Sequence, residues 1–227
     1  MDADAQKQQA ADAALELLPE SGVLGLGIGS TAKLFIDGVG RLVAQGREFR
    51  GVPTSEASHR QAQALGIPLL DPDGPWEIDV CVDGADEVSA TLDLIKGGGG
   101  AHLREKIVNH ASKRNVIIVD ESKLSERLGE RWPVPLEILG FAHRAIAKSL
   151  EKLGEPVLRL RDGAPWRTDS GNYIYDLRVG PIADPALLER ELSLIPGVVE
   201  TGLFVGRADT VLVASPQGVR RLDKRAD

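Results

Sequence analysis

Val23-Leu-Gly-Leu-Gly-Ile-Gly-Ser-Thr-Ala32 reads as a strand that runs into a glycine turn and then into a helix. Backbone N–H groups at such a helix start point at a bound anion, and the macrodipole favours its negative charge. The Ser30 and Thr31 hydroxyls add donors, so Ile28, Gly29, Ser30 and Thr31 outline a phosphate cradle. It is not a Walker loop, because Ser30-Thr31 stands where Gly-Lys is needed. A dinucleotide fingerprint matches in part at Gly27-x-Gly29-x-x-Ala32, but the ribose-binding acid expected about twenty residues on is missing. The next strand ends in Val52-Pro-Thr-Ser55, so a monophosphate suits the turn better than a dinucleotide. On the motif alone, tight helix–strand packing remains an alternative use of the glycines.

Along the rest of the chain, helix and strand alternate. The expected order is a helix over Asp4–Leu18, a strand at Val23, a helix from Thr31 that ends near Gly38 or Gly40, and a strand over Phe49–Val52. A helix over Ser55–Leu65 follows, then strands at Pro68–Leu70 and Ile78–Val82, a helix from Ala101, and a strand over Val116–Asp120. That rhythm is a parallel α/β sheet. Trp132-Pro-Val-Pro135 marks a boundary. Beyond it come a strand (Leu136–Leu139), a helix (Ala142–Leu153), strands (Val157–Leu160 and Tyr173–Val179), a helix (Pro185–Ser193) and a strand (Val198–Thr201). That βαββαβ order is ferredoxin-like. The last segment, Leu203-Phe204 and Thr210–Val213, is expected to return to the first sheet.

The strand Ile78–Val82 delivers Asp83-Gly-Ala-Asp-Glu87 at its carboxyl end, where open α/β sheets bind ligands. Lys96 and the run Gly97–Gly100 follow, with Glu105 nine positions beyond the lysine. Four glycines in a row let backbone approach a ligand closely. Leu103, Ile107 and Ala111 recur at helical spacing as the expected core face, which leaves Glu105 off it. Singly, each residue has a plain reading: Asp83 and Asp86 as turn formers or caps, Glu105 and Lys96 as solvated surface. Together, carboxylates and one ammonium around a glycine loop suit proton transfer on a small polar anion.

Composition bounds the partners. The chain has 227 residues, 42% of them hydrophobic, and a formal charge of −7. That argues for a folded core and against nucleic acid or an anionic membrane surface as partner. An anionic substrate then needs a local basic pocket, with Lys96, Lys123 and Lys7 as candidates. The single Cys81 lies in an expected buried strand and excludes an internal disulfide framework. No stretch reaches the ~20 apolar residues of a membrane span, and no signal-peptide pattern opens the sequence, so a cytoplasmic location is expected. The four histidines show no metal-ligand spacing, and Mg²⁺ on Asp83, Asp86 and Glu87 is disfavoured because Lys96 already offers positive charge. No metal is expected. A regulator module with this fold carries a basic helix-turn-helix, whereas only Lys7 is basic before Gly22.

In sequence, the chain resembles ribose-5-phosphate isomerases of the A type over essentially its whole length. The resemblance rests on Gly25–Thr31, Val52–Ser55, Asp83–Glu87, Lys96–Ala101, Arg104-Glu-Lys106, Ser122-Lys123, Pro133–Glu137 and Ile195–Phe204. Two departures are Ile28, where the family usually has threonine, and His102, where it has an apolar or small residue. The resemblance implies a Rossmann-like parallel sheet domain (1–130 plus 203–227) with a smaller inserted ferredoxin-like α+β domain (131–202). It implies cofactor-free interconversion of ribose 5-phosphate and ribulose 5-phosphate in the pentose phosphate pathway, and a homodimer. By the same resemblance Glu105 is the base, and Lys96 with Gly97, Gly98 and Gly99 steadies the developing oxyanion. Asp83 relays the ring-opening proton, Asp86 orients Lys96 or a hydroxyl, and spacing does not rank these two. Gly84 and Ala85 line the sugar, and Gly29, Ser30, Thr31 and Lys123 hold the phosphate.

Overall fold

Apolar runs such as Val116-Ile-Ile-Val119, buried on both faces, make central strands of a sheet covered on both sides. The computed structural model describes residues 3–224. In chain order the elements are α1 (Ala3–Leu15), β1 (Gly22–Leu26), α2 (Ser30–Ala44), β2 (Phe49–Pro53), α3 (Glu56–Ala64), β3 (Val80–Asp83), β4 (Glu87–Val88) and β5 (Leu94–Ile95). Then come α4 (His102–His110), β6 (Asn115–Asp120), β7 (Val134–Ile138), α5 (His143–Leu150), β8 (Glu155–Leu158), β9 (Leu160–Arg161) and β10 (Ala164–Pro165). The chain continues through β11 (Tyr173–Arg178), α6 (Pro185–Ser193), β12 (Val198–Thr201), β13 (Leu203–Phe204), β14 (Thr210–Ser215) and β15 (Gly218–Asp223).

By contact the chain forms two units. The first takes the residues up to Ala85, Arg104–Lys123 and those from Arg207 on; the second takes Asp86–Leu103 and Leu124–Gly206.

The first unit is Rossmann-like. Its six strands run in the order β15-β14-β6-β3-β1-β2, all parallel except β15, which pairs antiparallel with β14. Strand alternation sends Leu24 and Leu26 of β1 into a core with Phe35, Ile36 and Val39 of α2 and Ala10, Ala11 and Ala14 of α1. Val23 packs on the opposite face with Val52, Ile78, Cys81 and Val108 of α4.

The second unit is α+β. Its antiparallel sheet has the order β12-β7-β11-β8, the ferredoxin-like arrangement read from the sequence. Val134, Leu136 and Ile138 of β7 face Ile146 and Leu150 of α5 and Leu192 of α6. A three-stranded sheet, β13-β5-β4, and the two-stranded β10-β9 pair also belong to the unit.

Several elements differ from expectation. Helix α2 runs through Gly38 and Gly40 to Ala44. Both glycines are buried, and a side chain at either would collide with Leu15 or Leu65, so they are packing positions rather than stops. Pro68–Leu70 makes a single bridge, Leu69 to Gly51, not a strand. Leu203-Phe204 pairs with β5 instead of entering the first sheet. On α4 the expected core face holds only in part: Ala111 packs on the core beside Val108 and Leu103 is half-buried, but Ile107 is 48% exposed, and Glu105, Lys106, Val108 and Asn109 are buried. Among the described residues no helix is long and apolar enough to cross a membrane.

Candidate active site

In the first unit the glycine turn is built by β1 and β3 together. Gly27 N–H donates to the Val82 carbonyl at 3.0 Å, continuing the ladder one step past the strand. Asp83 ends β3 and is 3% exposed. Its Oδ1 accepts the N–H of Ile28 at 2.9 Å and the N–H of Gly84 at 2.8 Å. Backbone N–H bonds to a carboxylate are among the stronger ones, so Asp83 itself sets the shape of the turn. A Cβ at Gly27 would overlap that carboxylate, which is why glycine stands there.

The chain then enters α2 through Gly29, whose φ of +115° lies where L side chains rarely go. Ser30 opens the helix and Thr31 is buried beside it. A cavity of 470 Å³ lies at this helix start, lined by Gly27, Ile28, Gly29, Ser30, Lys33 and Gln61 among others. Its volume is within the range of small-molecule sites. The sequence reading passed over Lys33 and Gln61. Ser30 and Lys33 are one helical turn apart, the spacing that could have found the lysine.

Glu105, in the first turn of α4, is 3% exposed. Its neighbour Arg104 reaches Glu56 Oε1 at 2.9 Å, tying α4 to the first turn of α3. The bond from Arg104 holds the Glu56 carboxyl below the usual carboxylate range. Val108 fastens the same helix to the sheet. Lys123 ends a short 3-10 turn, Glu121–Lys123, just after β6. Lys7, a candidate phosphate cation by sequence, rests on Asp4 at 3.1 Å within α1.

In the second unit Lys96 follows β5 and is 3% exposed. Its N–H donates to the Gly202 carbonyl at 2.8 Å, and its Nζ stands 5.5 Å from the Phe204 ring centroid. Gly97 has φ +113°, and a Cβ there would stand 2.7 Å from His102 Nδ1, so the departure His102 packs directly on the glycine loop. Asp86 Oδ2 accepts the Gly98 N–H at 2.6 Å. That amide is therefore committed to Asp86, and Gly97 and Gly99 remain as the candidate oxyanion donors of the loop. Glu87 is fully buried and accepts the N–H groups of Gly129 and Arg131 at 2.9 and 3.2 Å, a structural use of the third acid.

The first unit thus gathers Ile28, Gly29, Ser30 and the Asp83–Gly84 corner around one turn, with Ala85 as its last residue there. The second gathers Asp86 and Lys96 with Gly97, Gly98 and Gly99. Glu105 belongs to the first unit by the same division.

The family model for ribose 5-phosphate isomerase A (phosphoriboisomerase A) matches residues 50–218. A Gloeobacter violaceus protein named Ribose-5-phosphate isomerase A is 49% identical over 228 residues, covering 100% of this chain and 99% of the relative. A namesake from Chloroflexus aurantiacus is 48% identical, covering 96% and 93%. The solved ribose 5-phosphate isomerase A of Methanocaldococcus jannaschii superposes with a TM-score of 0.92 at 43% identity, over 97% of this chain and 99% of that one. A solved D-ribose-5-phosphate isomerase in complex with phospho-erythronic acid gives a TM-score of 0.93 at 38% identity, over 98% and 100%. On matches of this extent, the chain belongs to the ribose 5-phosphate isomerase A family.

Proposed function

We propose that this chain interconverts D-ribose 5-phosphate and D-ribulose 5-phosphate by general acid/base proton transfer through an enediolate, without a cofactor. The observation that carries the reading is the end-to-end match, at 49% identity, to a protein named for that isomerisation. A related enzyme is solved with phospho-erythronic acid, a phosphorylated acid whose carboxylate bears the kind of negative charge an enediolate carries.

The chemistry needs one base that faces both carbons, removing a proton beside the carbonyl and returning it to its neighbour. Glu105 is that base; a positioned acid–base group contributes about 10²–10⁴-fold in rate. As the proton leaves, charge grows on the carbonyl oxygen, and Lys96 with the Gly97 and Gly99 amides stabilises it more in the transition state than in the ground state. Asp83 relays the proton that opens the sugar ring, and Asp86 orients Lys96 or a substrate hydroxyl. Gly84 and Ala85 line the sugar; Ile28, Gly29, Ser30 and Thr31 receive the phosphate at the start of α2, with Lys123 as its cation. By this reading residues 1–130 and 203–227 carry the chemistry, and 131–202 form the supporting domain. The protein acts as a homodimer in the cytoplasm, within the non-oxidative pentose phosphate pathway.

The test is ribose 5-phosphate with the product ketopentose read directly, in excess metal chelator. Steady ketopentose formation is expected. Its absence, or its appearance only when a nicotinamide dinucleotide is added, rejects the reading.

A further inference from the structure

Within the second unit, the loop that carries Lys96 is gripped from a direction the sequence did not signal. Arg159, between β8 and β9, donates from Nη1 to the carbonyls of Gly97 at 2.7 Å and Gly98 at 3.3 Å. Its other two nitrogens meet both oxygens of Asp176 on β11, Nε at 2.8 Å to Oδ2 and Nη2 to Oδ1. The pair is largely buried, with 12% and 20% of the two side chains exposed. The guanidinium also lies 5.4 Å from the Trp166 ring centroid. A Cβ at Gly100 would stand 3.0 Å from that indole and 3.1 Å from Ile174, so the loop rests on this platform.

In a trans peptide the C=O and N–H point in opposite directions. The Gly97–Gly98 peptide is held at both ends accordingly, its oxygen by Arg159 and its N–H by Asp86 Oδ2 at 2.6 Å. A cation at the oxygen and a carboxylate at the N–H both align with the peptide dipole, which strengthens each bond. The same grip on the Gly98 carbonyl turns the Gly99 N–H away from Arg159, and that amide is one of the two oxyanion donors proposed above. Lysine could not replace this fork, because an ammonium lacks the planar geometry that serves a carboxylate and two carbonyls together.

We propose that Arg159, anchored by Asp176, is a positioning residue for the isomerisation. It fixes the Gly97–Gly98 peptide and through it holds Asp86 and the Gly99 amide in the geometry that turnover needs. This rests on the roles assigned above to Asp86 and the glycine loop.

The experiment measures kcat, KM for ribose 5-phosphate and thermal unfolding in Arg159→Met, Arg159→Lys, Asp176→Asn, Arg161→Met and Asp86→Asn. Arg161 stacks on Trp166 at 5.1 Å and has no bond to the loop carbonyls, so its variant should keep turnover. Both Arg159 variants should lose kcat by about tenfold, with KM within about threefold, because the loss falls on the transition state. Arg159→Lys should keep the fold, since its charge still faces Asp176, yet not recover kcat. Asp176→Asn should lose kcat in the same direction. A kcat in Arg159→Lys less than about fivefold below the parent overturns the proposal. So does an Arg159→Lys protein that fails to fold, which assigns the residue to folding alone. Should only Arg159→Met fail to fold, Arg159→Lys and Asp176→Asn decide. Turnover lost in Asp86→Asn but kept in the Arg159 variants refutes the clamp alone; turnover kept in Asp86→Asn refutes the role of Asp86 itself.

Discussion

At the amino end of β1, Asp79 Oδ2 accepts the Val23 N–H at 2.9 Å; at the carboxyl end, Asp83 Oδ1 accepts the Ile28 N–H at the same distance. Each acid lies against a glycine. A Cβ at Gly22 would stand 2.6 Å from Asp79 Oδ2, and one at Gly27 would overlap Asp83. Beyond that shared device the two ends diverge. The second oxygen of Asp79 meets Lys113 at 2.9 Å, and the Asp79 side chain is 35% exposed. Asp83 is 3% exposed and takes a second amide, Gly84, at the corner that leads on to Asp86. Tying a glycine turn to a strand is therefore a structural service that either end performs, and function has to be read from what differs. The second unit repeats the device once more, with Asp86 on Gly98, where a Cβ would stand 2.6 Å from the carboxylate.

The contrast can be broken experimentally. The largest effect is expected away from the clamps, at Glu105: Glu105→Gln should keep fold and substrate binding and lose kcat by about 100-fold or more, measured as ketopentose formation. Near-normal turnover there removes the mechanism. Next, Asp83→Asn retains an acceptor for both amides, so its fold should survive while kcat falls about tenfold or more. Asp79→Asn makes the same change at the other end and should leave kcat within about twofold of the parent. Equal losses in the two variants would mean that Asp83 acts only as a clamp. Smaller than the Asp83 effect, Thr31→Ala should raise KM for ribose 5-phosphate by about three- to tenfold with kcat little changed, the scale of one typical lost hydrogen bond. An unchanged KM would count against the cradle.

The smallest effect is one of pH. The Val23 amide and then Lys113 hold the Asp79 carboxyl below its ordinary pKa of 3.8. A depressed native pKa gives stability that is fully present above the unfolded value and is lost as pH falls through the native one. Asp79→Asn should therefore melt lower than the parent at pH 7, and the difference should close as the pH drops below about 3.8. A gap that persists in acid would assign the loss to packing.

Much of this architecture was legible because apolar strands and helix caps repeat with regular spacing. Helix α6 and strand β12 fall on the residues expected, Pro185–Ser193 and Val198–Thr201, since Asp184 caps the helix and Pro185 opens it. What escaped were features whose cause lies far away in sequence. Gly38 and Gly40 read as helix stops until Leu15 and Leu65 are seen to fill the space beside them. The spacing of Leu103 and Ile107 pointed to a core face, yet α4 turns Val108 inward together with Glu105, Lys106 and Asn109, because buried polar groups are invisible to an apolar period. The acids at 83 and 86 were legible as chemistry and equally as turn formers, and each does hold a backbone amide. Arg159 carries no local signal at all, lying more than sixty residues from the glycines it grips.

Cys81, the chain's only cysteine, sits in β3 at 2% exposure, with so little room beside it that a Cβ at Gly25 would stand 2.8 Å from its sulfur. Thiol reagents can reach it only in molecules whose central strand has opened. Alkylation kinetics of the unmodified protein therefore report breathing of the six-stranded sheet at one known position, without any engineered label.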